Sequence, residues 1–125
     1  MRVLIAARDV RVRRALSSLL EVDGNRVVGA TDAALALLPD LDAQLGPDLV
    51  VVELNRRARS PDLRVVEELA RRGRAVIAVC SGSAWCASVL AAGATACLDK
   101  DLDFTDRLTE AVRGVARPRM PAPPT

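Results

Sequence analysis

The stretch "DLVVVEL", residues 48–54, decides the fold because it places three consecutive valines directly before a carboxylate. A continuous apolar run, without polar alternation, is typical of a strand that is buried on both faces of a parallel sheet. Glu53 would then lie at the carboxyl end of that strand, where open α/β sheets place their functional sites. The stretch therefore predicts a central strand that carries one acidic group to a candidate site.

Four further apolar runs of similar length are spaced along the chain. They are "RVLIAA" (2–7), "RVVGAT" (26–31), "RAVIAVC" (74–80) and "TACLD" (95–99). The segments between the five runs show helical rather than strand periodicity, so strands and helices alternate. This alternation predicts an α/β fold of (βα)5 type, a doubly wound parallel five-stranded sheet with helices on both faces.

The helix predictions rest on apolar spacing and on end signals. Helix 1 has Asp9 as its expected N-cap and Gly24 just beyond its end. Pro39 falls inside the second helical segment, about 32–45, and is expected to kink or split it. The remaining helices are predicted at about 61–72, 83–92 and 102–116.

Length and composition indicate one soluble domain. The chain has 125 residues and a net charge of +2, which is too small a charge to predict direct nucleic-acid binding. Residues 1–116 form the predicted domain, and the Pro-rich residues 117–125 are predicted to be a disordered tail or linker. No run is long enough for a membrane span or a signal peptide, so a cytoplasmic location is expected.

The cysteine count argues for reduced thiols and against a structural zinc site. The chain has three cysteines, no C-x-x-C spacing and no histidine. We expect free thiols in a cytosolic protein. If the strands that carry Cys80 and Cys97 are neighbours, a disulfide between them is feasible, but the reduced form is favoured.

The carboxyl ends of the predicted strands bring several residues to one rim. They are Ala7 and Arg8 after strand 1, Glu53 on strand 3, Cys80 and Ser81 after strand 4, and Asp99 and Lys100 after strand 5. A carboxylate, a lysine and an arginine thus converge on the edge where ligands of open parallel sheets bind.

Three stretches resemble bacterial response-regulator receiver domains: "RVLIAARDVRVRRALSSLLE" (2–21), "GPDLVVVEL" (46–54) and "LAAGATACLDKD" (90–101). The resemblance covers residues 1 to about 116 and is most similar to receivers of two-domain regulators with a C-terminal helix-turn-helix. It implies a receiver or flavodoxin-like fold with strand order 2-1-3-4-5. It also implies a role in two-component signal transduction and transcription regulation.

The resemblance assigns roles to the rim, and most positions depart from the family pattern. Receivers hold Mg²⁺ with an acidic pair and an aspartate that accepts a phosphoryl group. They also carry a Thr or Ser, an aromatic residue and a lysine that respond to it. The equivalents here are Ala7 and Arg8 for the acidic pair, Glu53 for the acceptor, Cys80 with the adjacent Ser81 for Thr/Ser, Cys97 for the aromatic residue, and Lys100 unchanged.

These departures predict a rim that binds no Mg²⁺, because one carboxylate beside an arginine is a poor site for that ion. Glu53 is interpreted as a fixed ion-pair partner of Lys100 or Arg8, with a solvated strand end as the alternative. The loop that carries Arg56, Arg57 and Arg59 could form an anion-binding pocket, although a solvated loop is the plainer interpretation.

The sequence thus predicts a pseudo-receiver that is not an enzyme and acts independently of phosphorylation. It would form a homodimer through helix 4, strand 5 and helix 5, with Trp85 at the interface or against the sheet edge. It could also contact a DNA-binding effector domain beyond residue 125. The alternatives are a ligand-gated pseudo-receiver that binds a small molecule at the vacated rim and an active phosphorelay receiver with an unusual acceptor. No G-x-G-x-x-G follows strand 1, which argues against a dinucleotide-binding enzyme.

Overall fold

A computed structural model describes residues 1–32, 35–54, 60–81, 83–100 and 103–116. Its five strands are β1 (Arg2–Ala6), β2 (Arg26–Thr31), β3 (Leu49–Leu54), β4 (Ala75–Cys80) and β5 (Ala96–Asp99). They form one sheet in the order β2-β1-β3-β4-β5, and every neighbouring pair is parallel. The predicted fold class and strand order are confirmed.

Five α-helices connect and flank the strands. They are α1 (Val10–Val22), α2 (Leu38–Leu45), α3 (Ser60–Arg71), α4 (Cys86–Ala91) and α5 (Phe104–Ala116). Asp9 caps α1, since its carboxylate accepts a hydrogen bond of 2.8 Å from the Arg11 amide. Gly24 follows α1 with a φ of 85°, a backbone conformation that glycine adopts without steric cost.

Two of the predicted helical segments combine a 3-10 turn with an α-helix. The second begins with a 3-10 turn at Leu35–Leu37, and α2 starts only at Leu38. Pro39 lies in the first turn of α2, because the amide hydrogen that proline lacks has no partner there in any helix. The fourth, predicted at about 83–92, opens with a 3-10 turn at Ser83–Trp85 and continues as an α-helix over Cys86–Ala91.

The core consists of two apolar layers, one on each face of the sheet. Alternate residues of β3 divide between them: Val50 and Val52 face α2, α3 and α4, whereas Leu49 and Val51 face α1 and α5. All four side chains are buried. Burial of each such side chain is worth roughly 1.5–3 kcal/mol relative to exposure. The continuous apolar run that predicted burial on both faces is thus explained.

The parallel register brings the ends of three strands to one edge. Leu54 lies opposite Cys80 in the β3–β4 pair, and Cys80 lies opposite Asp99 in the β4–β5 pair. Lys100 follows directly, and its amide donates to the Cys80 carbonyl at 3.0 Å. The last residues of β3 and β4 and the first residue after β5 are therefore held at one level.

At the other end of the strands, where they begin, arginines hold the neighbouring loop in place. The Arg74 guanidinium, just before β4, bonds to Asp42 of α2 at 2.7 Å and also to the Pro47 carbonyl. Asp42 is the polar residue that lies buried in the described core, with 1% exposure. Arg2 donates to the carbonyls of Leu45 and Gly46. These contacts tie the loop between α2 and β3 to the sheet and leave the carboxyl edge for the site.

Candidate functional site

Glu53 is held on the carboxyl half of β3 with its side chain only 4% exposed. The alternation of β3 puts that side chain on the side of α1 and α5, next after Val51. A carboxylate so far removed from water needs a charged or hydrogen-bonded partner, since an isolated buried charge is costly. The structure supplies two partners, one from the residue that follows β5 and one from the loop between β1 and α1.

The first partner is the ammonium group of Lys100, which contacts Glu53 Oε2. The Lys100 side chain is 28% exposed, so the pair lies at the edge of the protein interior. Its backbone is anchored to β4 through the hydrogen bond to Cys80, which aims the side chain across the rim toward β3. The interpretation of Glu53 as a solvated strand end does not fit this burial.

The second partner is weaker and comes from the backbone. The Asp9 amide lies 3.5 Å from Glu53 Oε1, at the limit of hydrogen bonding. The Asp9 carboxylate itself caps α1, and the Arg11 amide that it accepts from holds its pKa below the ordinary value. The Asp9 carboxylate thus serves the start of α1, and Asp9 offers Glu53 only its backbone amide.

Arg8 does not join the pair. It is exposed and forms no ion pair within the described residues, whereas Ala7 beside it is buried. The arginine that sequence analysis missed is Arg13, whose Nη1 donates to the Ala7 carbonyl at 2.9 Å. Its position three residues after the start of α1, one turn above the end of β1, was the available signal. Arg13 thus ties α1 to the residue that follows β1.

The equivalents of the family's Thr/Ser and aromatic residue, Cys80 on β4 and Cys97 on β5, carry thiols that touch each other. Cys80 is buried, and its sulfur lies 3.4 Å from that of Cys97, which is half-buried. Both cysteines are free, and so is Cys86 at the start of α4. Burial is the main reason that the pKa values of the Cys80 and Cys97 thiols are raised. Ser81 follows β4 and is half-buried.

Of the remaining residues named from the sequence, one packs on the core and the others lie outside the described residues. Trp85 is half-buried and packs on the apolar layer under α2, α3 and α4, as expected for a residue against the sheet. Arg56, Arg57 and Arg59 lie outside the described residues, and so does the tail at 117–125.

The rim residues do not fit a magnesium ion. Ala7 offers no side-chain oxygen, Arg8 is a cation, and the carboxylate of Glu53 already contacts the Lys100 ammonium. Mg²⁺ takes six oxygen ligands and usually one or two free carboxylates. Across the ranges that the structure describes, no group of three or more acidic, thiol or imidazole side chains is arranged to hold a metal ion.

The fold is similar to solved structures of several bacterial proteins. One is a putative pilus assembly-related protein from Burkholderia pseudomallei, with a TM-score of 0.80 and 21% identity over 93% of this chain and 89% of that one. A DNA-binding response regulator of the LuxR family from Staphylococcus aureus has a TM-score of 0.77 and 19% identity, over 93% of this chain and 98% of that one. A response regulator from Thermotoga maritima has a TM-score of 0.75 and 18% identity, over 91% of this chain and 95% of that one.

At these identities the likeness establishes the receiver-like fold. No family model matches the sequence, and no curated protein matches it. Within the described ranges, none of the helices combines the length and the apolar character needed to span a membrane.

Proposed function

We propose that this chain is a receiver-like regulatory domain, without enzymatic activity, whose rim is set by a fixed ion pair rather than by phosphorylation. The observation that carries the proposal is the contact between Lys100 and Glu53, a carboxylate with 4% side-chain exposure. Glu53 stands where the resembling family has its phosphoacceptor, and Lys100 stands where that family has the lysine that contacts the phosphoryl group. The anion that Lys100 contacts is thus the Glu53 carboxylate of the same chain.

Phosphoryl acceptance is disfavoured for two physical reasons. Phosphoryl transfer relies on a metal ion to neutralise the developing charge, and the rim residues that the structure describes offer no set of free carboxylates for one. In addition, the Glu53 carboxylate would have to leave the Lys100 ammonium before it could attack a phosphodonor. An effective dielectric of about 20 makes a charge pair at 4 Å worth roughly 4 kcal/mol before desolvation.

The receiver-like role draws support from the solved response regulators that share the fold. One of them is a DNA-binding regulator, and its likeness covers 98% of that solved chain. We propose that this domain works in the cytoplasm as part of signal transduction, by pairing with itself or by contacting an effector domain, with a DNA-binding domain as the favoured kind. Direct contact with DNA by this domain itself is not proposed, given its net charge of +2.

Self-association through α4, β5 and α5 is the proposed mode of pairing. Leu90 on α4 is 46% exposed, which leaves an apolar side chain available on that surface. Light scattering over a concentration series should show a dimer that Leu90→Glu weakens. Val22→Glu, a change at an exposed apolar residue at the end of α1, is the matched control and should leave the dimer intact.

A second candidate role is suggested by the pilus assembly-related protein from Burkholderia pseudomallei, whose TM-score is 0.80. We propose, as the alternative, a receiver-like module of an assembly machinery rather than of a transcription regulator. The two roles share the fixed rim and differ in the partner. Identification of the residues that follow this domain in the full reading frame separates them, since a helix-turn-helix would support the first and its absence the second.

Incubation with a small-molecule phosphodonor and Mg²⁺, followed by intact-protein mass spectrometry, tests the fixed rim. The wild type should gain no phosphoryl group. The matched control combines Ala7→Asp, Arg8→Asp and Glu53→Asp, which restores the acids of the resembling family around Lys100 and should permit modification. A stable phosphoryl adduct on wild-type Glu53 would overturn the proposal and favour an active receiver with an unusual acceptor.

A further inference from the structure

Three thiols lie together beside the carboxyl ends of β4 and β5. Cys80 ends β4, Cys97 is the second residue of β5, and Cys86 begins α4. The Cys97 sulfur lies 2.6 Å from the sulfur of Cys86 and 3.4 Å from that of Cys80. Cys97 is therefore the shared neighbour of the other two thiols.

The sheet register explains why the thiols meet. Cys97 lies opposite Ala78 in the β4–β5 pair, and Ala78 and Cys80 point to the same face because strand side chains alternate. That face belongs to the apolar layer under α2, α3 and α4, on which Cys97 packs. Val89 of α4 is buried in the same layer, which brings the start of α4 over β5.

We propose that Cys86 and Cys97 are an oxidation site, at which a hydroperoxide converts the two thiols into a reversible disulfide that joins α4 to β5. Their sulfurs are in contact, and both residues are half-buried rather than fully enclosed. A disulfide joins sulfurs about 2.05 Å apart, which requires two thiols that already face each other, as these two do. This assignment rests on the three thiols and does not depend on the function proposed above.

The chemistry balances with the hydroperoxide as the oxidant. The Cys86 thiol loses its proton to water, and its sulfur attacks the outer oxygen of the O–O bond, which breaks to release an alcohol, or water from hydrogen peroxide. Cys86 then carries a sulfenic acid. The Cys97 sulfur attacks the sulfenic sulfur, an S–S bond forms, and the Cys97 proton leaves with the hydroxyl as water. The two thiols together lose two electrons, and the peroxide gains them.

The third thiol, Cys80, is the less reactive of the two neighbours of Cys97. Cys80 is buried and lies against the same sulfur of Cys97 from the other side. Burial raises the pKa of Cys80 and of Cys97, so both remain protonated at neutral pH and react slowly. The first attack is assigned to Cys86, and Cys97, whose sulfur touches that of Cys86, is the thiol that closes the bond.

Peptide mapping after peroxide treatment of the reduced full chain tests the assignment. Residues 75–100 contain no internal Arg or Lys, so one tryptic fragment carries all three cysteines. Chymotrypsin, which cleaves after Trp85 and Leu90, then separates the three thiols. The expected product is a disulfide between the Cys86 and Cys97 peptides, with Cys80 free to react with iodoacetamide and with reversal by dithiothreitol.

Two variants sharpen the test. Cys80→Ala should still form the disulfide, whereas Cys97→Ala should form no intrachain disulfide, because the shared partner is gone. Closing the loop from residue 86 to 97 should also raise the melting temperature of the oxidised wild type by roughly 10 °C.

A Cys80–Cys97 bond in the oxidised wild type would overturn the assignment. So would a product with only intermolecular bonds, or one in which Cys86 is over-oxidised while Cys97 stays free. Because the mapping is done on the wild type, the result holds even if a variant fails to fold.

Discussion

The ammonium group of Lys100 contacts Oε2 of Glu53 across the carboxyl edge of the sheet. Glu53 belongs to β3 and Lys100 follows β5, so the pair spans the end of β4 that lies between them. The backbone of Lys100 is tied to that same strand end at Cys80. One ion pair and one hydrogen bond therefore link the ends of three strands. These two contacts form the proposed fixed rim.

A double-mutant cycle on this pair should reveal coupling. Glu53→Gln keeps the shape but leaves the Lys100 ammonium without its carboxylate, and we expect a loss of about 1–3 kcal/mol in the free energy of unfolding. Lys100→Met should lower the free energy of unfolding by a similar amount, because it leaves the buried Glu53 carboxylate without its cation. The double variant should lose less than the sum of the two changes.

Urea unfolding measures the cycle, and Arg8→Ala is its control. Arg8 is exposed and has no ion-pair partner in the described part of the chain, so its removal should change stability by less than about 0.5 kcal/mol. Additive effects of the Glu53 and Lys100 changes would contradict the fixed pair.

Alkaline pH should destabilise the reduced protein through its thiols. The folded-state pKa values of Cys80 and Cys97 are raised, chiefly by burial, above the unfolded value of about 8.5. Below that value both states hold the protons and the contribution to stability is complete. As the pH rises from there toward the folded-state pKa values, only the unfolded state releases protons, so stability falls.

Unfolding under reducing conditions at a series of alkaline pH values measures this slope. The chain has no tyrosine and a single lysine, which leaves few other groups to titrate in that range. The Cys80→Ala, Cys97→Ala double variant should show a flatter decline. An identical decline in that variant and the wild type would be inconsistent with buried protonated thiols.

The ion pair of the buried Asp42, near the amino-terminal ends of the strands, should contribute more to the free energy of unfolding than exposed ion pairs do. Asp42 is 1% exposed and bonds to Arg74 at 2.7 Å, with Arg72 at 3.7 Å as a second cation. Arg74→Met should cost about 2–4 kcal/mol, since it removes the nearer partner of a buried carboxylate. Arg71→Met is the control: Arg71 is 72% exposed in its pair with Glu68, and its loss should cost less than about 0.5 kcal/mol. Equal effects in thermal unfolding would refute this ranking.

Gly93 should be less tolerant of a side chain than Gly24. Both have positive φ, at 109° and 85°, so alanine is strained at either position. At Gly93 a Cβ atom would also lie 2.7 Å from the Cβ of Ala70 in α3, whereas nothing lies within 4 Å at Gly24. We expect Gly24→Ala to cost about 1 kcal/mol and Gly93→Ala roughly twice that or more. Equal costs in urea unfolding would show that α3 yields to the added methyl group.

The strands were predictable because their burial on both faces leaves continuous apolar runs. The run around Glu53 gave both the central strand and the acid at its carboxyl end, and parallel pairing then required Lys100 to lie near that acid. Pro39 was likewise a sound predictor of the break before α2, because proline is confined to the first turn of a helix.

Other features depend on tertiary contacts that no local pattern reveals. The 3-10 turn before Cys86 sets where α4 begins and thereby places the Cys86 thiol against Cys97. The buried position of Asp42 depends on Arg74, which lies 32 residues later in the chain. Only the fold shows that the guanidinium of Arg13 in α1 reaches the carbonyl of Ala7, just after β1.

The most direct test of the fixed rim uses the single lysine of the chain. Labelling with ¹³C-lysine gives one set of side-chain NMR signals, all from Lys100. The signal of its ε-carbon should differ between wild type and Glu53→Gln, and in the wild type it should not move on addition of Mg²⁺ and a phosphodonor. The same ε-carbon shift in both proteins, or a wild-type shift that follows Mg²⁺, would contradict the fixed ion pair.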